Sequence, residues 1–313
     1  MEKTELIYSG DPQRLDIYLS EAGLGFSRPF AQKIITGKHV KVNGLFRKPG
    51  YILKEGAKVE ISMPAPEGDA KSFEKLIIYE DDWIIAIHKP AGLAVHPNSP
   101  LWEENPKACL LGEPTVVSML LESRPETANK EGLTRLGLVH RLDRDTSGLM
   151  IISKDAETQQ ILQIGFRERL MEKTYIGCVS PLPPEDSGII DAPIGRAGGF
   201  KKIKVWEFGR DAVTCFKVKE KTEACAMLEI SPQTGRTNQI RIHMEHMGSP
   251  ILGDKLYHGQ PADRMLLHSA QLIFQHPATG KQKKLKCPLP EDFKKAWEKA
   301  KKEISNAPEK KTA

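Results

Sequence analysis

HRLDRDTSGLMIIS, residues 140–153, joins two kinds of sequence that seldom meet so abruptly. The first nine residues hold two arginines, a histidine, two carboxylates and two hydroxyls, with Leu142 as the one aliphatic side chain. The next five, LMIIS, have the continuous apolar character of a buried strand. Asp145, Thr146, Ser147 and Gly148 suit an ordinary turn. The arginine–carboxylate cluster at the mouth of a core strand is less ordinary. A carboxylate that is partly buried needs a cationic partner to stay ionised. The arginine-rich stretch TGRTNQIR, 234–241, is a candidate source of that partner. From the residues alone, a structural ion pair and a catalytic carboxylate are equally open.

On either side of this stretch the chain alternates strand and helix signals. KLIIYEDDWIIAIHKPAG, 75–92, gives two short apolar strands and ends in a Pro/Gly turn. TVVSMLLESRP reads as a helix, and residues 98–114 before it, without a period, read as a surface excursion. DAETQQILQIGFRER is a helix with Asp155 as cap, Ile161/Ile164 and Leu162/Phe166 forming its apolar face. KTYIGCVS, AVTCFKVKE and ACAMLEIS are strands. TGRTNQIRIHMEHMG is a turn and helix with Ile240, Met244 and Met247 inward, and AQLIFQHPATGK is a closing strand and turn.

Residues 13–63 form a separate small pattern. A helix carries Leu15, Tyr18, Leu19 and Leu24, and a second has Ser27 as N-cap, Pro29 in its first turn and Gly37 at its end. HVKVNG then gives an alternating strand and an Asn43-Gly44 hairpin turn, and 54–61 another strand. These signals divide the chain into an extension 1–12, a small domain 13–63, a Pro/Gly-rich linker 64–72, a main domain 73–298 and a lysine-rich tail 299–313 expected to be disordered.

The 313 residues carry a formal charge of +5, too small by itself to indicate nucleic acid. Its placement is more informative: 13–63 has nine Lys/Arg against four Asp/Glu, and 281–313 has eleven lysines against five acids. No apolar run approaches the roughly 20 residues of a membrane span, and the start lacks a signal-peptide pattern, so a cytoplasmic protein is expected. The five cysteines are scattered, without CxxC or Cys/His metal spacing, and are expected to be reduced structural thiols.

A resemblance now gives these pieces an order. IIYEDDWIIAIHKPAGLAVHP (77–97), HRLDRDTSGL (140–149), EKTYIGCV (172–179), TGRTNQIRIHMEHMGSPILGD (234–254) and LLHSAQLIFQHPATG (266–280) are similar, in order, to the motifs of the RluA family of pseudouridine synthases. SRPFAQKIITGKHVKVNG resembles the small RNA-binding domain named after ribosomal small-subunit protein four. The resemblance implies an α+β fold. Its catalytic domain would be a large mixed, mainly antiparallel sheet with flanking helices and a central RNA-binding cleft, preceded by a small α/β RNA-binding domain.

It also implies isomerisation of uridine within structured RNA, expected to be that of the large ribosomal subunit, by a monomer needing no cofactor or metal. Asp143 matches the essential carboxylate, which either attacks the nucleoside or takes a ribose proton. Arg241 matches the arginine that pairs with it, expected here as a bidentate fork. Tyr175 matches the tyrosine that stacks on the uracil, and Arg141 the residue that fills the space left by a flipped base. Lys89 and Arg236 are candidate phosphate contacts or turn residues. Arg28, Lys33, Lys38, Lys41 and Arg47 are expected to grip RNA phosphates. His140 and His243 are expected to be structural. Three features depart from the family pattern: Asn238 replaces a histidine, GRDA stands where GKPA is common, and 98–114 is long.

Two other readings compete. One is a non-catalytic RNA-binding or ribosome-assembly factor on the same fold. The other is a glycoside hydrolase using Asp143 and Asp145, two positions apart and so able to approach the roughly 5–5.5 Å of a retaining pair. The low aromatic content, 6%, gives that second reading little sugar-stacking surface.

Overall fold

The structure is a computed structural model that describes residues 2–24, 26–63, 71–98, 100–196 and 203–305. It divides into two compact units, one of residues 1–76 and 94–138, the other of 77–93 and 139–313.

In the first unit, a four-stranded antiparallel sheet runs in the order Glu2–Ile7, Lys58–Met63, Val40–Val42, Leu45–Phe46. Two helices, Leu15–Glu21 and Arg28–Thr36, bury Leu15, Leu19, Phe30, Ile34 and Ile35. Pro29 sits in the first turn and Gly37 caps the end. Asn43 and Gly44 both have positive φ, 51° and 77°, the mirror-image turn that matches the twist of a two-residue hairpin. Residues 1–12 are not a mere extension. Glu2–Ile7 pairs along its length with Lys58–Met63, and Tyr8 is buried. The pairing strand begins at Lys58 rather than 54, because the Ala57 amide closes a turn on the Lys54 carbonyl with Gly56 at φ 77°.

Of the expected surface excursion 98–114, residues 100–114 are more ordered than that reading implies. They contain a helix Leu101–Glu104 and a 3-10 turn Pro106–Leu110, anchored by the buried Trp102 and Cys109. His96 stacks on Trp102, and the Arg135 guanidinium lies 5.5 Å from the same ring. The helix Val116–Ser123 starts with a reciprocal capping box between Thr115 and Ser118. The expected linker 64–72 lies outside the described residues except at its last two positions, which open a short helix Lys71–Glu74.

The second unit is built on a nine-stranded sheet. Its path is Ser187–Asp191, Val213–Lys221, Ala226–Pro232, Glu172–Val179, Leu267–Gln275, Ser147–Ser153, Ile84–Lys89, Ile77–Glu80, with Gln282–Lys286 also paired to Leu267–Gln275. Only Ser147–Ser153 against Leu267–Gln275 is parallel, so the sheet is mixed and mainly antiparallel, and the fold is α+β. All seven residues of Ser147–Ser153 are buried, as a strand covered on both faces requires. At its start Gly148 has φ 119°, and a Cβ there would come 2.3 Å from the Ser269 carbonyl oxygen. Glycine is what lets these two strands meet.

The flanking helices are Ala156–Arg167, Gln239–His246 and Glu291–Ser305. Asp155 caps the first by accepting the Thr158 amide. Its inner stripe is Thr158, Gln159, Leu162 and Gly165, while Ile161 and Ile164 are exposed. The expected Ile161/Ile164 face is therefore turned outward, because the helix packs on a neighbouring stripe of its surface. Residues 299–305 are also not a disordered tail. They continue the last helix, with Phe293, Ala296, Trp297 and Ala300 buried at spacings of three and four. Residues 306–313 lie outside the description. All five cysteines are free thiols, four of them buried.

Candidate active site

The charged stretch of residues 140–146 is a loop entering the central strand. The Thr146 amide donates to the Asp143 carbonyl and closes a turn. Lys89 lies beneath that turn, fully buried, with its ammonium donating to the carbonyls of Pro90, Leu93 and Arg144. Three acceptors match its three protons, so it is not a phosphate contact but a clamp between the Pro/Gly turn and the charged loop. Burial pushes its pKa down to about 7 against the pull of Asp145 and Asp143. Arg144 completes the clamp by donating to the Gly92 carbonyl.

His140 is a scaffold residue. Its Nε2 accepts the Ile151 amide and its ring stacks on Phe166 at 4.5 Å. Burial, helped by nearby Lys173, pushes its pKa down to about 3 and keeps it neutral. His243, fully buried, is held between the Thr214 hydroxyl and the Ala192 carbonyl.

Above the loop lies a cleft of about 470 Å³. Asp143, Tyr175, Arg241, Arg141 and Arg236 all line it, so the structure gathers five of the sequence-derived site residues from distant parts of the chain. The volume suits one nucleotide-sized ligand. Arg236 donates from Nε to the Asp211 carbonyl, and its amide donates to Gln239, fixing the TGRT turn.

The arginine–carboxylate geometry differs from expectation. The bidentate partner of Arg241 is Asp254, reached from Nε at 2.6 Å and from Nη2 at 2.8 Å. Asp143 receives a single bond from Nη1 at 3.2 Å, and Asn238 Oδ1 accepts from the same nitrogen at 3.2 Å. One edge of the guanidinium is committed to Asp254, so only its remaining nitrogen reaches Asp143. Asp254 is fully buried and also accepts the Leu256 and Tyr257 amides. The Asp143 side chain keeps 23% of its surface exposed toward the cleft. Burial disfavours the Arg241 charge, but the hydrogen bonds and charge of Asp254, then of Asp143, hold its pKa above the usual range.

Asn238 explains how the turn tolerates its departure from the family pattern. Its φ is 56°, a left-handed conformation that asparagine adopts more readily than most residues. Its Nδ2 donates to the Tyr257 hydroxyl, which in turn donates to the Ile203 carbonyl. The Tyr257 ring lies 5.0 Å from the Arg241 guanidinium. Tyr175 stands on the strand Glu172–Val179, and burial pushes its phenol up to about 12, opposed by hydrogen bonding from Ser269.

Sequence reasoning passed over Asp254 and Tyr257. Asp254 lay inside a quoted motif, and a signal existed: a buried arginine with five donors needs more than one acceptor.

The remaining predicted contacts belong to the first unit. Arg28 donates from Nε to the buried Asp16, which also binds Arg14 and Gln32. Lys41 lies over Phe46 and Arg47 over Tyr51, while Lys38 is exposed at φ 62° and Lys33 is half-buried.

Among the described residues, His88, His268 and Cys287 form a group with ligand atoms within 4.8 Å of one another, which sequence spacing could not reveal. Both His268 nitrogens are already bonded, to Ser147 and the Cys287 carbonyl, and Arg264 donates to the same serine. No described helix is long and apolar enough to cross a membrane.

A sheet-bound cleft that offers a carboxylate beside a buried arginine, ringed by further cations, suits an enzyme acting on a polyanion. Comparison with known proteins gives the class. Residues 83–246 match the RNA pseudouridylate synthase family and residues 13–59 the S4 domain. An RNA pseudouridine synthase of Synechocystis is 35% identical over 297 residues, covering 90% of this chain and 87% of its own. Ribosomal large subunit pseudouridine synthase D of Pseudomonas aeruginosa is 35% identical over 305 residues, covering 90% of each chain. The solved structure of human RNA pseudouridylate synthase domain containing 4 aligns with a TM-score of 0.58 at 24% identity, over 73% of this chain and 94% of that one, a likeness of fold. The chain therefore belongs to the RNA pseudouridylate synthase family, of the RluA type, with an S4 domain at its N-terminus. It is an isomerase that acts on RNA.

Proposed function

We propose that this protein converts specific uridines of large-subunit ribosomal RNA to pseudouridine as a cytoplasmic monomer, with Asp143 as the essential carboxylate. The observation that carries this reading is the single bond from Arg241 to Asp143 in an open cleft. A carboxylate locked by a bidentate fork would be poorly placed to react. One held by a single 3.2 Å bond keeps its direction while leaving an oxygen for the nucleoside. The names of the Pseudomonas relative and of others like it support the ribosomal substrate.

In this reading Arg141 takes the place of the target base in the helix, offsetting a flipping cost of a few kcal/mol. Tyr175 stacks on the uracil, and its hydroxyl, neutral at physiological pH, assists the final proton removal. Arg236 contacts phosphate at the cleft. In the small unit, Lys33, Lys38, Lys41 and the remaining donors of Arg28 and Arg47 contact RNA phosphates and give position rather than sequence selectivity.

Replacing Asp143 tests the reading. D143N is expected to bind RNA but form no pseudouridine, read by pseudouridine mapping of the RNA. An assembly factor would function equally well with either residue.

A further inference from the structure

Lys173 has no part in the site as derived so far. It lies two residues before Tyr175 on one strand, so both side chains face the same side, and both line the cleft. Its ammonium is half-buried, and its one hydrogen bond among the described residues, to the Thr234 carbonyl, is long at 3.4 Å. Gly235 leaves room beside it: a Cβ there would stand 3.8 Å from the Lys173 nitrogen. The neighbouring charge is cationic. Its pKa is lowered by burial and then by Arg169. A desolvated cation whose charged neighbour is another cation is unfavourable in the empty protein.

Arg169 carries a second, independent anomaly. It follows the helix Ala156–Arg167 at φ 62°, and the Leu170 amide donates back to the Gly165 carbonyl. This is the left-handed position after a helix end that glycine usually fills without strain. An arginine here accepts strain and places a long cation on the cleft wall, which it lines together with Lys173.

We propose that Lys173 and Arg169 form an anion-binding wall that holds a phosphodiester of the RNA strand beside the uridine in the cleft. The inference rests on the reading of the cleft as the uridine site and adds the backbone contact that fixes the nucleotide there. Among the described residues neither has an anionic partner, and a phosphate supplies a shared negative charge with several acceptor oxygens. Lysine suits the inner position as a compact charge, and arginine suits the rim.

The test uses the full-length enzyme with a large-subunit ribosomal RNA fragment and, separately, a transfer RNA transcript. K173M is expected to raise KM roughly ten-fold, the effect of one charged hydrogen bond. Its kcat should change far less. The slope of log affinity against log salt should become shallower by about 0.9, as for one lost phosphate contact. K173R should restore most of both. R169G should raise KM in the same direction while raising the melting temperature, because it relieves the left-handed strain. Salt slopes identical for wild type and K173M would overturn the proposal, as would a fall in kcat with KM unchanged. The substrate reading fails separately, by wild-type inactivity on the ribosomal fragment. The slope comparison then still holds for whichever RNA binds.

Discussion

Replacing Asp254 with asparagine isolates the feature that organises this site. The wild-type carboxylate accepts four bonds: Arg241 Nε at 2.6 Å, Arg241 Nη2 at 2.8 Å, and the amides of Leu256 and Tyr257 at 3.0 and 3.1 Å. In D254N the remaining oxygen can keep the two amides and Nη2, which all address Oδ1. The new amide nitrogen then faces Arg241 Nε, donor against donor. Arg241 stays buried, its side chain 10% exposed, with Asp143 as its one remaining carboxylate partner. Breaking a buried pair costs about 3–5 kcal/mol, and the retained bonds place this case near the lower end, about 3 kcal/mol. For a unit of this size that is a fall in melting temperature of roughly 6–12 °C. Arg241 is then drawn toward Asp143, so the carboxylate proposed to react shifts and loses freedom. A displacement on the order of 1 Å lowers kcat by about a hundred-fold, with RNA affinity nearly unchanged. Calorimetric melting and single-turnover pseudouridine formation measure the two effects. A D254N enzyme that melts within about 1 °C of wild type and keeps its kcat would refute the reasoning, since Asp254 would not then be what holds the arginine.

Other outcomes follow from the same geometry. Y175F keeps the ring and loses the hydroxyl, so RNA binding should persist while turnover falls by about a hundred-fold or more, measured under single-turnover conditions. K89M should loosen the charged loop and lower stability, and its pH dependence has a definite sign. The folded pKa of Lys89 is about 7, below the roughly 10.4 of an unfolded lysine, so between these values the unfolded chain binds the extra proton and stability rises with pH. The stability gap between wild type and K89M should therefore widen from pH 7 to pH 10 in urea unfolding. A gap that narrows would contradict the assignment.

Much of this fold can be read from local sequence, where one residue's chemistry has one structural use. Asn43-Gly44 specifies its turn by the positive φ of both residues. Asp155 announces a helix start, and SGLMIIS announces a strand buried on both sides. Elements that rely on distant partners leave weaker traces. Glu2–Ile7 becomes a strand because Lys58–Met63 offers it a sheet edge, while its own sequence has too few apolar residues to show alternation. The last helix hides a regular apolar stripe among lysines. Ile161 and Ile164 look like a core face, yet Leu162 and Gly165 meet the core instead.

The site divides along the same line. Asp143, Tyr175 and Arg241 are legible through their motifs. The exchange of partners around Arg241 is not, because Asp143 lies 98 residues before it and Asp254 13 after, and no local pattern ranks the two carboxylates. Lys89 reads in the sequence as a phosphate contact or a turn residue. Its three carbonyl acceptors come from two loops that meet only in the folded chain, the farther one 55 residues from Lys89.

The measurement that addresses the central claim most directly is pseudouridine mapping of ribosomal RNA from cells lacking the gene, complemented with wild type or with D143N. Particular large-subunit uridines should lose their modification and wild type alone should restore it, with D143N expressed at normal levels. Restoration by D143N would contradict the role given to Asp143, and an unchanged ribosomal map in the deletion strain would contradict the substrate.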